Sequence, residues 1–359
     1  MQEAGIRHPF LNHDWICTWW ECFGPGRELY VILVMLNGVL RGIAPLMLSR
    51  KSIYGLRGVR SLGFLYNPHT PRCDFIVPHG AEDIYHAIWT HIRRNEREWD
   101  ALELCRLPDD SKTLHEIRKY AGVDGLLTGI WQGDPSPYVI GQPWKDYSEK
   151  LHRSHQQNLT RRFKSLSKLG HVELEVVTST DDLEKALEDA FHIEAAAWKG
   201  KAGTAIEEDA RTRQFYTRLV ERAARRGWLH LSFLTINRRR IVARIGLRYA
   251  NRHYLLKSGY DPEFSKYSPS ILHFSLLLRD ILDQGMSECD LLGGNDEWKL
   301  RWTQLVRPHW WLFVFPKSLQ GTYLHSIKFR LAPGLNRWRA GVASFRNNTV
   351  KHLESRNAR

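Results

Sequence analysis

Apolar and polar positions are patterned most clearly between residues 228 and 302. Runs 228–236, 241–249 and 253–260 are rich in β-branched and aromatic residues, with polar turns at Asn237-Arg238-Arg239-Arg240 and Ala250-Asn251-Arg252 between them. This pattern predicts an antiparallel meander. Apolar residues then recur at helical spacing as Ile271, Phe274, Leu278, Ile281 and Leu282, with Ser268 as N-cap, Pro269 in the first turn and Gly285 as the stop. The short run Cys289-Asp290-Leu291-Leu292 follows and turns at Gly293-Gly294. Strand–helix–strand predicts two parallel neighbours, with the helix N-terminus at their C-terminal edge. Unpaired amides there suit a diphosphate.

Earlier elements are shorter. Apolar spacing from Pro9 through Trp15, Trp19 and Phe23 predicts a helix ending at Gly24-Pro25-Gly26. Residues 29–36 and 39–48 read as a hairpin around Asn37-Gly38. Strands are expected near 59–66, at 74–77 and at 101–107, and helices over 81–97 and 110–120. The second half repeats this order in outline: Leu36-Asn37-Gly38-Val39 and Ile236-Asn237-Arg238-Arg239 each place a polar turn between two buried strands. The reading is a duplicated α+β domain. Its divisions are 1–145 as a structural copy, 146–170 as a basic linker helix, 171–316 as the catalytic copy and 317–359 as a basic tail.

Composition refines this picture. With 359 residues, 43% hydrophobic and 25% charged, the chain is globular in make-up and has room for two cores. Cys17, Cys22, Cys73, Cys105 and Cys289 are odd in number and lack C-x-x-C spacing, which argues against a disulfide framework or a zinc site and fits a reducing cytoplasm. No basic-then-apolar leader opens the sequence. The apolar stretch 31–48 is broken by Asn37-Gly38 and Arg41, so it reads as a hairpin and not as a membrane span. Net charge is +13, and residues 317–359 carry +8 of it through nine Lys/Arg against one Glu. That tail, with Tyr323, Phe329, Trp338 and Phe345, either lies on an anionic membrane surface or contacts nucleic acid, or it stays solvated. The linker cations, Arg153, Arg161, Arg162, Lys164 and Lys168 among them, form either a solvated face or one that meets phosphates.

A meander entering a strand–helix–strand unit resembles the acyl-CoA half of GNAT-fold N-acyltransferases. The segment from Phe191 through Glu194, Trp198, Lys199 and Thr204 to Ala205 resembles a signature of the CelD/BcsL family, the cellulose-biosynthesis-associated, FemAB-related branch of that fold. Pro9-Phe10-Leu11 through Trp15 resembles its opening helix, Asn158-Leu159-Thr160-Arg161-Arg162 its middle, and Asp290 through Gly293-Gly294 to Lys299 and Trp302 its close. The resemblance implies an α+β fold of tandem GNAT-like domains, each a mixed, mostly antiparallel sheet flanked by helices. It implies acyl-CoA as co-substrate, no permanently bound cofactor or metal, and an amine acceptor on a lipid, sugar or other molecule. Composition, rather than the resemblance, gives the expected setting: cytoplasmic from the cysteine usage, and peripheral on the inner face of the cell membrane from the fourteen tryptophans and the basic tail, with nucleic acid not an expected partner. One departure stands out: Lys266-Tyr267-Ser268-Pro269-Ser270, where many GNAT enzymes hold the pyrophosphate with a glycine-containing loop, has no glycine. That leaves longer acyl-CoAs, another thioester or an aminoacyl-tRNA open as donor.

Acyl transfer to an amine needs a neutral amine facing the thioester, a donor for the developing oxyanion and an acceptor for the surplus proton. Glu194 is the first candidate for base, because it falls within the apolar stripe of Leu187, Ala190 and Trp198, where burial raises a carboxyl pKa. The alternative is an ion pair with a buried arginine such as Arg244. Asp290 and Lys299 either orient the reactants or respectively cap the Gly293-Gly294 turn and pair with Asp296 or Glu297. Tyr260 either protonates the leaving thiolate or packs. Leu256, Ser258, Lys266, Tyr267, Ser268 and Ser270 are expected along the donor, and Trp198, Lys199, Thr204 and Arg244 around the substrate. His230 and His253 lie in strand-like runs and read first as core residues. No G-x-S-x-G, H-E-x-x-H or P-loop is present, which sets aside serine hydrolase, zinc protease and P-loop kinase chemistry. Two further readings stay open: a FemAB-like aminoacyl-tRNA-dependent transferase, and a non-catalytic GNAT-fold protein that binds polyanions or membranes.

Overall fold

The computed structural model describes residues 4–196 and 205–331. Two mixed, mostly antiparallel sheets flanked by helices make up the described fold. The first sheet contains β1 (Glu28–Leu36), β2 (Val39–Ile53), β3 (Leu56–Phe64), β4 (Ala101–Pro108), β5 (Leu127–Gln132) and, from far along the chain, β13 (His309–Phe315). Its order is β1-β2-β3-β4-β13-β5, antiparallel across β1–β3 and parallel between β3 and β4. Asn37 and Gly38 both take left-handed backbone at the β1–β2 turn, the geometry that a two-residue hairpin demands. The second sheet contains β6 (Ser136–Ile140), β7 (Val172–Val177), β8 (Leu229–Ile236), β9 (Arg239–Tyr249), β10 (Arg252–Tyr260), β11 (Glu288–Asp290) and β12 (Val306–Arg307), in the order β12-β6-β11-β10-β9-β8-β7. The helices are α1 (His13–Phe23), α2 (Glu82–Arg94), α3 (Lys112–Val123), α4 (Trp144–Glu149), α5 (Arg153–Leu166), α6 (Leu183–Ala196), α7 (Ala210–Arg225), α8 (Pro269–Asp283), α9 (Glu297–Leu300) and α10 (Leu319–Ser326).

The duplication expected from the turn pattern is visible in the topology. In one sheet β1–β2–β3 is followed by α2 and the parallel strand β4; in the other β8–β9–β10 is followed by α8 and the parallel strand β11. The compact units, however, do not follow the linear division at 145 and 171. One unit is built from residues 26–64, 80–131 and 310–331, the other from 4–25, 65–79 and 132–309. The reason is strand partnering. β6 comes from the first half of the chain but pairs antiparallel with β11, Val139 opposite Cys289, whereas β13 comes from the second half and lies between β4 and β5. Residues 74–77, expected as a strand, contribute only a bridging position at Ile76.

Within the unit that holds the second sheet, α8 covers one face and α6 the other. Successive residues of β9 and β10 therefore point to different helices, as strand geometry requires. Leu277, Leu278, Ile281 and Leu282 of α8 pack with Cys289, Leu291, Val139 and Trp302. α5, expected as a linker, buries Leu166 beside Leu234 and Leu272 and keeps Arg161, Lys164 and Lys168 exposed. α1 packs on α7: Trp15 meets the edge of Phe215 at 5.4 Å, and Glu21 accepts from Arg218 and Arg222 at 2.9 and 2.8 Å. Among the described residues, no helix is long and apolar enough to cross a membrane.

Candidate active site

β10 and β11 pair in parallel for three positions only, Arg252 with Glu288, His253 with Cys289 and Tyr254 with Asp290. Beyond Tyr254 they part. A register shift between Leu255 and Lys257 against β9 marks a bulge, and a bulge adds local twist, which turns the second half of β10 away from β11. The gap is a cleft of about 460 Å³. The edge of β10 from Leu255 to Tyr260 forms one wall, Leu291, Leu292 and Gly293 the other, with Ser270 and Ile271 of α8, Trp298 and Lys299 of α9, and Glu194 of α6 completing it.

Glu194 reaches the cleft because α6 crosses β10 at Gly259. A Cβ at that position would fall inside van der Waals contact with the Glu194 backbone and 2.8 Å from the carbonyl oxygen of Ile193. The carboxylate is 2% exposed, and one of its oxygens accepts the Ile206 N–H at 2.9 Å. Tyr216 of α7 is buried close by; burial first, and the Glu194 charge second, push its phenol well above the usual range. The Tyr216 hydroxyl lies 3.4 Å from His69 Nδ1, and His69 Nε2 lies 3.3 Å from the Thr212 hydroxyl. Burial, with Lys257 as second cause, lowers His69 to about 4, so it is a neutral imidazole near pH 7.

Asp290 is fully buried at the point where β11 ends. Arg72 and Arg307 both donate to Oδ2, the latter at 2.7 Å, while Ser136 and the Leu292 N–H donate to Oδ1 at 3.2 and 3.0 Å. Desolvation opposes ionisation here, but Arg72 and Arg307 outweigh it and hold the carboxyl below its ordinary range. The residue caps the turn that carries Leu292 in left-handed backbone, and it does not line the cleft. Lys299 is buried with its ammonium on the Leu292 and Gly294 carbonyls at 2.8 and 2.9 Å and on the Asp296 carboxylate at 3.0 Å. Those three acceptors fix the loop between β11 and α9, so Lys299 shapes the cleft wall.

Of the residues expected along the donor, Leu256, Ser258 and Ser270 line the cleft, whereas Lys266, Tyr267 and Ser268 stand outside its lining. Lys266 is exposed, with its ammonium 5.0 Å above the Tyr267 ring, in a short helical turn over Pro262–Tyr267. Ser268 adopts φ 53° and its hydroxyl makes no capping bond, in place of the side-chain N-cap expected. Tyr260 lines the cleft at the end of β10. Arg244, on β9, donates to the Ser270 carbonyl and hydroxyl at 2.7 and 2.9 Å, and among the described residues it forms no ion pair with Glu194. Trp198, Lys199 and Thr204 lie outside the described residues. His230 and His253 are buried beneath α8, ring centroids 4.9 Å apart, and take no part in the lining. Burial, ahead of the neighbouring His253, pushes His230 far below the ordinary imidazole range, and burial, ahead of Arg248, lowers His253 to about 3, so both are neutral near pH 7. His253 fits there because Gly246 has no side chain: a Cβ would stand 2.5 Å from its Nε2. Sequence reasoning missed Lys257, Trp298 and Tyr216; Gly259 inside a strand was a signal of close backbone approach that pointed to Glu194.

A parallel strand pair that opens beside a helix N-terminus, in a mixed sheet entered by a meander, defines the GNAT class of fold. Residues 153–300 match the family described as the acetyltransferase (GNAT) domain. No curated protein matches the chain in sequence. Among solved structures, the chain is similar to FemX, at TM-score 0.59 and 10% identity over 89% of this chain and 99% of that one. It is also similar to the C-terminal domain of a protein described as a lysylphosphatidylglycerol synthetase from Agrobacterium fabrum, at TM-score 0.54 and 10% identity over 86% and 89% of the two chains. A tandem GNAT protein from the clavulanic acid biosynthesis pathway aligns over 87% of this chain and 98% of its own at TM-score 0.46 and 12% identity.

Proposed function

We propose that the chain is an N-acyltransferase that moves an acyl group from acyl-CoA, or a similar thioester, to an amine in the cleft between β10 and β11. The observation that carries this reading is the splay itself: it exposes the backbone edge of β10 opposite a buried carboxylate. A thioester laid along that edge has its carbonyl oxygen toward strand N–H groups, which stabilise the oxyanion as the amine attacks. Glu194 takes the proton from the attacking nitrogen, and Tyr260 returns one to the departing thiolate. Ser258 and Ser270 hold the donor. Asp290 and Lys299 are positioning residues that set the loop at Leu292–Asp296, and the acceptor enters beside Lys257 and Tyr216. The acceptor class is an amine on a lipid or sugar, and the basic tail brings the enzyme to an anionic membrane surface. That the unit holding the second sheet is catalytic and the unit holding the first sheet is structural belongs to the same proposal.

The test is thiol release from a panel of acyl-CoAs with amine acceptors, wild type against Glu194→Gln. Turnover by wild type that the variant loses supports the reading; no thiol release with any pair refutes it. A second reading, a FemAB-like aminoacyl-tRNA-dependent transferase, draws on the glycine-free loop before α8 and on the fold shared with FemX. Co-purifying tRNA would favour it.

A further inference from the structure

Arg244 is buried, 1% exposed, in the middle of β9 under the first turn of α8. Its guanidinium lies between the rings of Phe274 and Trp298, 5.2 and 5.5 Å from their centroids. One terminal nitrogen donates to the carbonyl and hydroxyl of Ser270. Nε and Nη1 have no hydrogen-bond partner among the described residues, and no carboxylate there pairs with the charge. Ser232, opposite Arg244 in the ladder with β8, and His273, on α8, likewise leave a hydroxyl and both ring nitrogens without a partner among the described residues. Buried polar groups ordinarily find partners, so this concentration is unusual.

Two unfavourable terms coincide here. A buried cation without a counter-charge is costly, and a cation at the N-terminal end of a helix opposes the helix dipole. The aromatic faces hold the guanidinium plane but supply no anionic charge. Both terms reverse sign if an anion docks at that end of α8. The route is at hand, because Ser270 and Trp298, which Arg244 touches, both line the cleft.

We propose that Arg244 is the fixed counter-charge for an oxyanion group of the donor, phosphate or carboxylate, docked against the first turn of α8. This rests on the acyl-donor reading and narrows it: the cleft takes a donor with an acid group near the reacting end or along its carrier, and a wholly neutral donor leaves Arg244 uncompensated. A buried charge acts through low dielectric over several ångströms, so it selects for the anion without being exposed itself.

Coenzyme A and inorganic pyrophosphate are titrated by calorimetry into wild type, Arg244→Lys and Arg244→Met, and succinyl-CoA is compared with butyryl-CoA as donor. If the anion is a phosphate, R244M binds pyrophosphate and coenzyme A about tenfold more weakly or worse, and R244K retains part of the affinity. If it is a carboxylate, R244M leaves coenzyme A binding intact and loses a wild-type preference for succinyl- over butyryl-CoA. In both cases R244M melts no lower than wild type without ligand, because a lone buried charge has been removed; a cooperative melt also confirms that the variant folds. Equal binding and equal donor preference in wild type and R244M overturn the inference and leave the acyl-donor reading standing. Pyrophosphate binding that depends on Arg244, without any coenzyme A binding, does the reverse. Binding of none of these ligands by wild type overturns both.

Discussion

Asp290→Ala tests whether the end of β11 is held by charge. The carboxylate accepts from Arg72, Arg307, Ser136 and the Leu292 N–H, and removing one partner of a buried ion pair costs about 3–5 kcal/mol because the other charge is left uncompensated. Arg307 is less exposed to this loss, since Glu288 accepts from it at 3.0 Å. The orphaned charge is therefore Arg72, 2% exposed, whose Nε, among the described residues, keeps His309 at 3.2 Å. That places the loss near the low end, about 3 kcal/mol. Replacing both residues with apolar ones, as in Arg72→Met with Asp290→Leu, recovers most of it, because no charge is then stranded. The assay is urea unfolding followed by tryptophan fluorescence. Its pH dependence has a definite sign: the folded pKa of Asp290 lies below the ordinary 3.8, so its contribution is fully present above that value and is lost as pH falls through the folded pKa. The gap between wild type and Asp290→Asn is thus constant from pH 7 to pH 5 and shrinks in the acid range below. A D290A variant within about 0.5 kcal/mol of wild type at pH 7, or a gap that widens in acid, would refute the reasoning.

Glu194→Gln is expected to lower acyl transfer by about 10²–10⁴ while leaving donor binding within a few-fold, as loss of a general base does; steady-state kinetics beside calorimetry separates the two. Gly259→Val forces α6 away from β10 and is expected to destabilise the fold by about 1–3 kcal/mol and to lower turnover with it, measured by melting and by kcat. Lys299→Met removes the ammonium that bonds the Leu292 and Gly294 carbonyls, so KM for the donor should rise by more than kcat falls; unchanged KM would show that the loop does not depend on Lys299. A fragment of residues 171–316 lacks β6, α1 and the segment carrying Arg72, and is expected to give no cooperative thermal transition, whereas the full chain gives one.

What was legible in the sequence is what short-range periodicity encodes. The three runs of the meander became β8, β9 and β10, the stripe from Ile271 to Leu282 became α8, and the strand after it runs parallel to β10, because each is fixed by neighbours within about a dozen residues. Glu194 stood out because an acid on an apolar stripe is costly wherever it lands. The rest depended on partners chosen across long distances. β6 carries nothing that distinguishes a partner in the first sheet from one in the second, and it ends beside β11, roughly 150 residues downstream, because the three-residue strand β11 would otherwise present an unpaired edge. β13 occupies the corresponding place beside β4 in the first sheet. Each half of the chain thus supplies the strand next to the parallel pair of the other, which a division drawn at a linker helix cannot express. The same long reach accounts for Asp290: from spacing alone it was a turn cap or a reactant, and what decides between these is Arg72, which arrives from 218 positions away and, with Arg307, holds the carboxylate ionised at the end of β11. The cleft opens immediately beyond that point, so the charge network that no local pattern shows is also what fixes one wall of the site.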